Sequence, residues 1–105
     1  MDDKEFARLA DEALSRIENA LEASDADLDF ELQAGGILEI EFADGSKIIV
    51  NRHSVAKEIW VAARSGGFHF RHDGSVWRDT RDGAELFEKL SALAGEQAGQ
   101  AVKLD

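Results

Sequence analysis

The chain contains no cysteine and no proline among its 105 residues. Without thiols, disulfides, thiolate catalysis, zinc knuckles and cysteine-held iron–sulfur clusters are excluded. Without proline, turns fall to Gly, Asn and Asp. No apolar run approaches the ~20 residues a membrane span needs. The N-terminus lacks a basic segment ahead of an apolar core, so no signal peptide is expected and a cytoplasmic location is the default. Bases are scarce as well: 12 Lys and Arg stand against 22 Asp and Glu, a net charge of −10. Phosphate binding needs concentrated Lys and Arg, which argues against nucleic acid. Such a charge favours metal cations or a basic protein surface. There is no nucleophile triad, phosphate loop or metalloenzyme motif. The length and a hydrophobic fraction of 44% predict one domain spanning residues 1–105.

The acidity is local. Residues 2–31 hold eleven carboxylates and three bases, a net of −8, so the rest of the chain contributes only −2. Phe6, Leu9, Ala10, Ala13, Ile17, Ala20 and Leu21 recur at helical steps and predict one amphipathic helix. Asp2 followed by Glu5 reads as a capping box that starts it. The pattern fades at Ala23 or Ser24. Glu22 and Asp25 lie at that C-terminal end, where the macrodipole disfavours carboxylates by roughly 0.3–1 kcal/mol each. A sequence shaped only for helix stability would place Lys or Arg there. The competing view is that these acids merely keep a helix face solvated.

Strict alternation follows. Leu28, Phe30 and Leu32 are expected to face a core, with Asp27, Asp29 and Glu31 in water. After Ala34-Gly35-Gly36, the next strand turns Leu38, Ile40 and Phe42 inward. Asp44-Gly45 is a hairpin signal leading to a strand over Lys47 to Asn51 with Ile48 and Val50 inward. A loop over Arg52 to Lys57 precedes a fourth strand, Glu58 to Ala62. There Ile59 and Val61 point in and Trp60 points out, unless the register is slipped and Trp60 is core. Gly66-Gly67 breaks the chain. Phe68 and Phe70 then face in, with His69 and Arg71 out. Asp73-Gly74 leads to a short strand at Val76-Trp77-Arg78, with Trp77 expected to pack on Phe68 and Phe70. Asp82 and Glu85 suggest a second capping box, and Leu86, Phe87, Leu90, Leu93 and Ala94 a second helix ended by Gly95. Val102 and Leu104 can dock on the core. The sum is an α+β two-layer sandwich: helix, six-stranded antiparallel sheet, helix, with both helices on one sheet face.

In this order and spacing, Asp44-Gly45-Ser46-Lys47-Ile48-Ile49-Val50-Asn51-Arg52, Ile59-Trp60 and Gly66-Gly67-Phe68-His69-Phe70 resemble the frataxins, and among them the bacterial branch. Glu5-Phe6, Leu9-Ala10-Asp11 and the acidic run from Glu18 fit as well. The chain departs from the family's usual pattern at His53, Val55 and Glu58, where Gln, Pro and Gln are frequent. The resemblance implies the same sandwich and a role in iron–sulfur cluster assembly. It implies an iron-binding regulator of the cysteine desulfurase, or an iron donor, that docks on the desulfurase and the scaffold protein. Carried onto this chain, the iron-binding acidic ridge is Asp11, Glu18, Glu22, Asp25, Asp27, Asp29 and Glu31. The partner surface is Glu18, Glu22, Asn51 and Trp60. A ferroxidase or iron-storing oligomer is the alternative, against a monomer that gains oligomers only with metal.

Carboxylates are hard ligands suited to iron and other hard cations. Glu18 and Glu22 stand one turn apart, about 6 Å along the axis, and can share an ion. Asp11 and Glu18 are about 10.5 Å apart and cannot both ligate one. Asp27, Asp29 and Glu31 repeat at roughly 7 Å. The spacing predicts weak, multiple, water-completed sites. His53, His69 and His72 share no metal-binding spacing, although His69 is a lesser candidate to assist iron. Glu39 and Glu41 on one strand make a poor acid–base pair without a pocket.

Overall fold

A computed structural model describes residues 1–105. Helix α1 (Asp3–Ala23) is followed by strands β1 (Leu28–Gln33), β2 (Ile37–Phe42), β3 (Lys47–His53), β4 (Glu58–Ala63), β5 (Gly66–His72) and β6 (Trp77–Asp79), then helix α2 (Leu86–Ala98). The six strands form one antiparallel sheet in sequence order. Side chains alternate across the sheet. The face carrying Leu38, Ile40, Phe42, Ile48, Val50, Ile59, Val61, Phe70 and Trp77 is buried against both helices in one cluster of 22 residues. Burying each such large side chain contributes about 1.5–3 kcal/mol. The opposite face has no helix over it, so its residues are free for other work.

Helix α1 starts as its cap predicts, with Asp2 Oδ1 accepting from the Glu5 N–H at 2.8 Å. It buries Leu14 in addition to the expected stripe, while Leu9 and Ala20 are only half-buried. Ser24 closes it, its N–H reaching the Leu21 carbonyl at 3.1 Å.

Several expectations need correction. Leu32 is 46% exposed, because β1 is an edge strand and Leu32 borders an open cleft beside α1 instead of filling the core. Strand β3 runs on to His53, since Arg52 and His53 pair with Ile59 and Glu58. The β4–β5 turn is Arg64-Ser65, because Ala63 pairs with Gly66 and both Gly66 and Gly67 belong to the strand. Trp77 is buried, but its ring neighbours are Phe6 of α1, at 6.0 Å between ring centres, and His72, at 5.1 Å. Phe68 lies instead beneath the Lys89 ammonium. Glu85, not Asp82, caps α2, accepting from the Phe87 and Glu88 N–H groups. Asp82 is occupied by the Ala84 N–H and by Lys89. Gly95 does not end α2. The returning tail crosses it so closely that a Cβ there would lie 3.3 Å from the Gln100 carbonyl oxygen, and Gly99, at φ 71°, is the true C-cap. Val102 and Leu104 dock on the core as expected.

Buried Gln97 was not anticipated. Its side chain accepts from the Arg64 N–H and donates to Ser46 Oγ and the Lys47 carbonyl, tying α2 to two strand turns. Gln97→Leu keeps the volume and strands those partners. Chemical denaturation should show a loss of about 1–3 kcal/mol.

Candidate metal and partner surface

The alternation that buries one sheet face sets the acids of β1 on the other. Asp29 lies directly opposite Glu41, and Glu31 directly opposite Glu39. Two of these four were expected on the ridge. Glu39 and Glu41 join them only through strand pairing, which spacing along one strand does not reveal. Like charges directly opposite on a sheet destabilise it. Lys47 is the local counter-charge: it stands opposite Glu41 and bonds Glu39 at 2.8 Å. That bond holds the Glu39 carboxyl below its ordinary value. Asp27, Asp29 and Glu41 line one shallow groove at the end of the first hairpin.

The helix acids form a separate row. Asp11, Glu18 and Glu22 belong to α1, which covers the opposite sheet face from Asp29 and Glu31. The ridge is thus two rows flanking the β1 edge. Asp11 and Glu18 border the same cleft, and Asp11 is ion-paired with Arg52. Arg52 is set by the β1–β2 turn: its N–H donates to the Gly36 carbonyl at 2.9 Å, and its side chain lies where a Cβ on Gly36 would be, 2.9 Å from Nε. Gly36 therefore admits the arginine that claims Asp11. Glu22, Asp25, Asp27, Asp29 and Glu31 are exposed, and Glu18 is half-buried. No three Asp, Glu or His side chains converge on a point where they could hold one ion. What the arrangement offers is one or two carboxylates at each of several places, with water completing the shell.

Further across the open face, β3, β4 and β5 bring three rings together. Trp60 pairs directly with His69 and with Asn51. Its indole is stacked between His53, at 3.8 Å and 15°, and His69, at 4.5 Å and 9°. Glu58 lies under the stack and is 7% exposed despite standing on the wet side of β4. Its Oε1 accepts from Trp60 Nε1–H at 2.8 Å, and its Oε2 accepts from Arg71 Nε–H at 2.7 Å. Trp60 is therefore on the open face, as the unslipped register required, with Asn51 beside it. The stack escaped sequence reading because it depends on pairing. Placing the tight turn at Arg64-Ser65 would have set His69 opposite Trp60.

Residues 1–100 match the frataxin-like domain. The chain belongs to the frataxin family. It is 75% identical over 104 residues to the iron–sulfur cluster assembly protein CyaY of Dechloromonas aromatica, covering 99% of both chains. It is 51% identical to the CyaY of Cupriavidus pinatubonensis, over 99% of this chain and 96% of that one. Among solved structures, frataxin from Psychromonas ingrahamii superposes with a TM-score of 0.92 at 33% identity, covering 100% and 99% of the two chains. Trimeric yeast frataxin, crystallised with ferrous iron, shares the fold at a TM-score of 0.69 and 22% identity, over 95% and 88%. No helix of this frataxin is long and apolar enough to cross a membrane.

Two tests bear on these electrostatics. Divalent cations at constant ionic strength should raise the melting temperature by relieving the facing carboxylates. Asp29→Asn with Glu31→Gln should raise it without cations, through a gain in stability of about 0.2–1 kcal/mol per relieved pair, and shrink the cation effect. Melting that ignores both changes would show the repulsion to be negligible.

The second test concerns Glu58. Burial pushes its carboxyl up, but the bonds from Trp60 and Arg71, with the charges of Arg71 and His69, outweigh that and leave it below its ordinary value. A depressed carboxyl stabilises the fold above its unfolded value, about 4.3, and loses that contribution as pH falls through the folded value. Acid titration followed at the Trp60 indole N–H should show the bond surviving below the pH at which an ordinary glutamate protonates. Glu58→Gln should abolish the transition.

Proposed function

We propose that this frataxin works in iron–sulfur cluster assembly as a binding protein of the cytoplasm. In this reading it takes up iron weakly as cargo and docks on the cysteine desulfurase and its scaffold protein, regulating the desulfurase. One observation carries the reading most: carboxylates of β1 and β2 stand in facing like-charge pairs on an uncovered sheet face, the face that also carries the aromatic stack around half-buried Trp60. Lys47 answers Glu39 and faces Glu41, but Asp29 and Glu31 have no such partner, so their facing charge costs folding stability while it attracts cations and a basic partner surface. Frataxin relatives bearing the name iron–sulfur cluster assembly protein support the same role. Hard oxygen donors suit iron, and one or two per position suit loose, exchangeable uptake. A ferroxidase centre would need two metals about 3.5–4 Å apart. Paired carboxylates dispersed over two rows favour transient holding instead.

The four-site variant Glu18→Gln, Glu22→Gln, Asp27→Asn, Asp29→Asn should fold, lose most ferrous iron uptake by calorimetry, and bind the desulfurase at least tenfold more weakly. Added salt should weaken the native complex in the same direction. Trp60→Arg should spare the fold and reduce desulfurase affinity by about 30-fold, as for a hot-spot residue. Desulfurase turnover, measured with this protein in the presence and absence of ferrous iron, reads the regulation directly. Unaltered iron uptake and partner affinity in the four-site variant would defeat the proposal.

A further inference from the structure

Glu58 is the odd residue of the open face. The outward positions of β4 are Glu58, Trp60 and Ala62, and a strand needs no carboxylate at the first of them. A buried charge is costly unless hydrogen bonds and an opposite charge answer it. Here both oxygens are answered. Oε1 takes the Trp60 indole N–H at 2.8 Å, and Oε2 takes the Arg71 guanidinium at 2.7 Å, so the carboxylate cannot rotate without breaking one of them. His69 Nδ1 stands 3.6 Å from Oε1. The outer walls of the stack are held too. His53 Nδ1 accepts the Ala56 N–H at 3.2 Å, which pins that ring to the β3–β4 loop, and His69 is the direct cross-strand partner of Trp60. A tryptophan on an open strand would ordinarily sample several rotamers. This one is gripped on both faces and at its nitrogen.

We propose that Glu58 is a positioning residue that locks Trp60 in a single stacked pose ready for docking. The proposal rests on the reading of Trp60 as a partner contact and adds how that contact is made ready. The rotamer ordering that a hot-spot side chain otherwise undergoes on association is completed in the free protein. Arg71 is the second support: it carries the charge that keeps Glu58 ionised beneath the rings, and its guanidinium is otherwise open to solvent. The partner surface this fits has a slot for a rigid, flat aromatic block presented edge-on by three adjacent strands, not a groove that closes around a mobile side chain.

The test uses the full chain with Glu58→Ala, Glu58→Gln, Trp60→Ala and the double variant Glu58→Ala/Trp60→Ala. In the free protein, Glu58→Ala should speed hydrogen exchange at the Trp60 indole N–H at least tenfold and lower its NMR order parameter, with the buried Trp77 indole unchanged as the internal control. Glu58→Gln keeps an acceptor and should restore the wild-type signal. With the desulfurase as the binding probe, Glu58→Ala should weaken affinity about tenfold, Glu58→Gln within about threefold, and Glu58→Ala should cost nothing further once Trp60 is Ala. An indole as protected and as ordered in Glu58→Ala as in the wild type overturns the proposal. So does an affinity loss of equal size with and without Trp60. If Trp60→Ala alone leaves affinity unchanged, it is the docking role of Trp60 that fails, and the indole exchange still decides whether Glu58 holds the ring.

Discussion

One-sided burial of the sheet governs everything else in this molecule. Two helices and the returning tail cover a single face, so the apolar half of every strand has one place to go. A slip of one residue in any pairing would carry the buried set into water. Register is therefore fixed by burial, and it is fixed for the outward residues as well, although they contribute little to it. Asp29 meets Glu41, and Trp60 meets His69, because Phe30 must meet Ile40 and Ile59 must meet Phe70 on the other side. The arrangement of the open face is a by-product of core packing, printed through the sheet.

That dependence explains what was legible in the sequence. Alternation within a strand needs only nearest neighbours, so the inward sets of β2, β3 and β4 and the outward Trp60 were all readable. The whole sandwich followed from them. Features that need two strands at once were not. The carboxylate quartet, the ring stack and the burial of Glu58 depend on which residue faces which across a hairpin. The two-residue turn at Arg64-Ser65 carries no strong turn signal, while Gly66-Gly67 mimics one. Helix ends misled for a similar reason. Gly95 resembles a stop in sequence, yet it is a clearance for the tail crossing α2, and Gly99 performs the termination. Asp82 and Glu85 compete for one cap, and the outcome turns on Lys89, seven residues further along, which claims Asp82.

Among the ridge residues, position in the fold separates roles that composition had merged. Asp11 answers Arg52, which the glycine turn delivers, so it belongs partly to the scaffold. Glu22, Asp25, Asp27, Asp29 and Glu31 have no such employment. Their side chains are exposed on α1, on the connection after it and on β1, and no base of this chain claims them.

The edge itself supplies a reason for the charge to sit there. Strand β1 has a neighbour on one side only, and an open edge invites pairing with a strand from another molecule. Strand β6, at the far side, is three residues long and partly closed by the bridge between Arg78 and Glu85. The six-residue β1 has no comparable cover. A second copy of this chain approaching β1 edge-on would bring Asp29 and Glu31 against the same two acids, beside Glu22, Asp25 and Asp27. A basic partner, or a cation, meets the reverse. The same carboxylates that face one another in the first hairpin thus oppose edge-to-edge pairing of two copies and favour a basic surface or a cation. Specificity of this kind comes from repulsion of the wrong partner as much as attraction of the right one. The proposed function divides the open face accordingly: charge at the edge would decide who approaches, and the Trp60 indole, three strands inward, would recognise what has arrived.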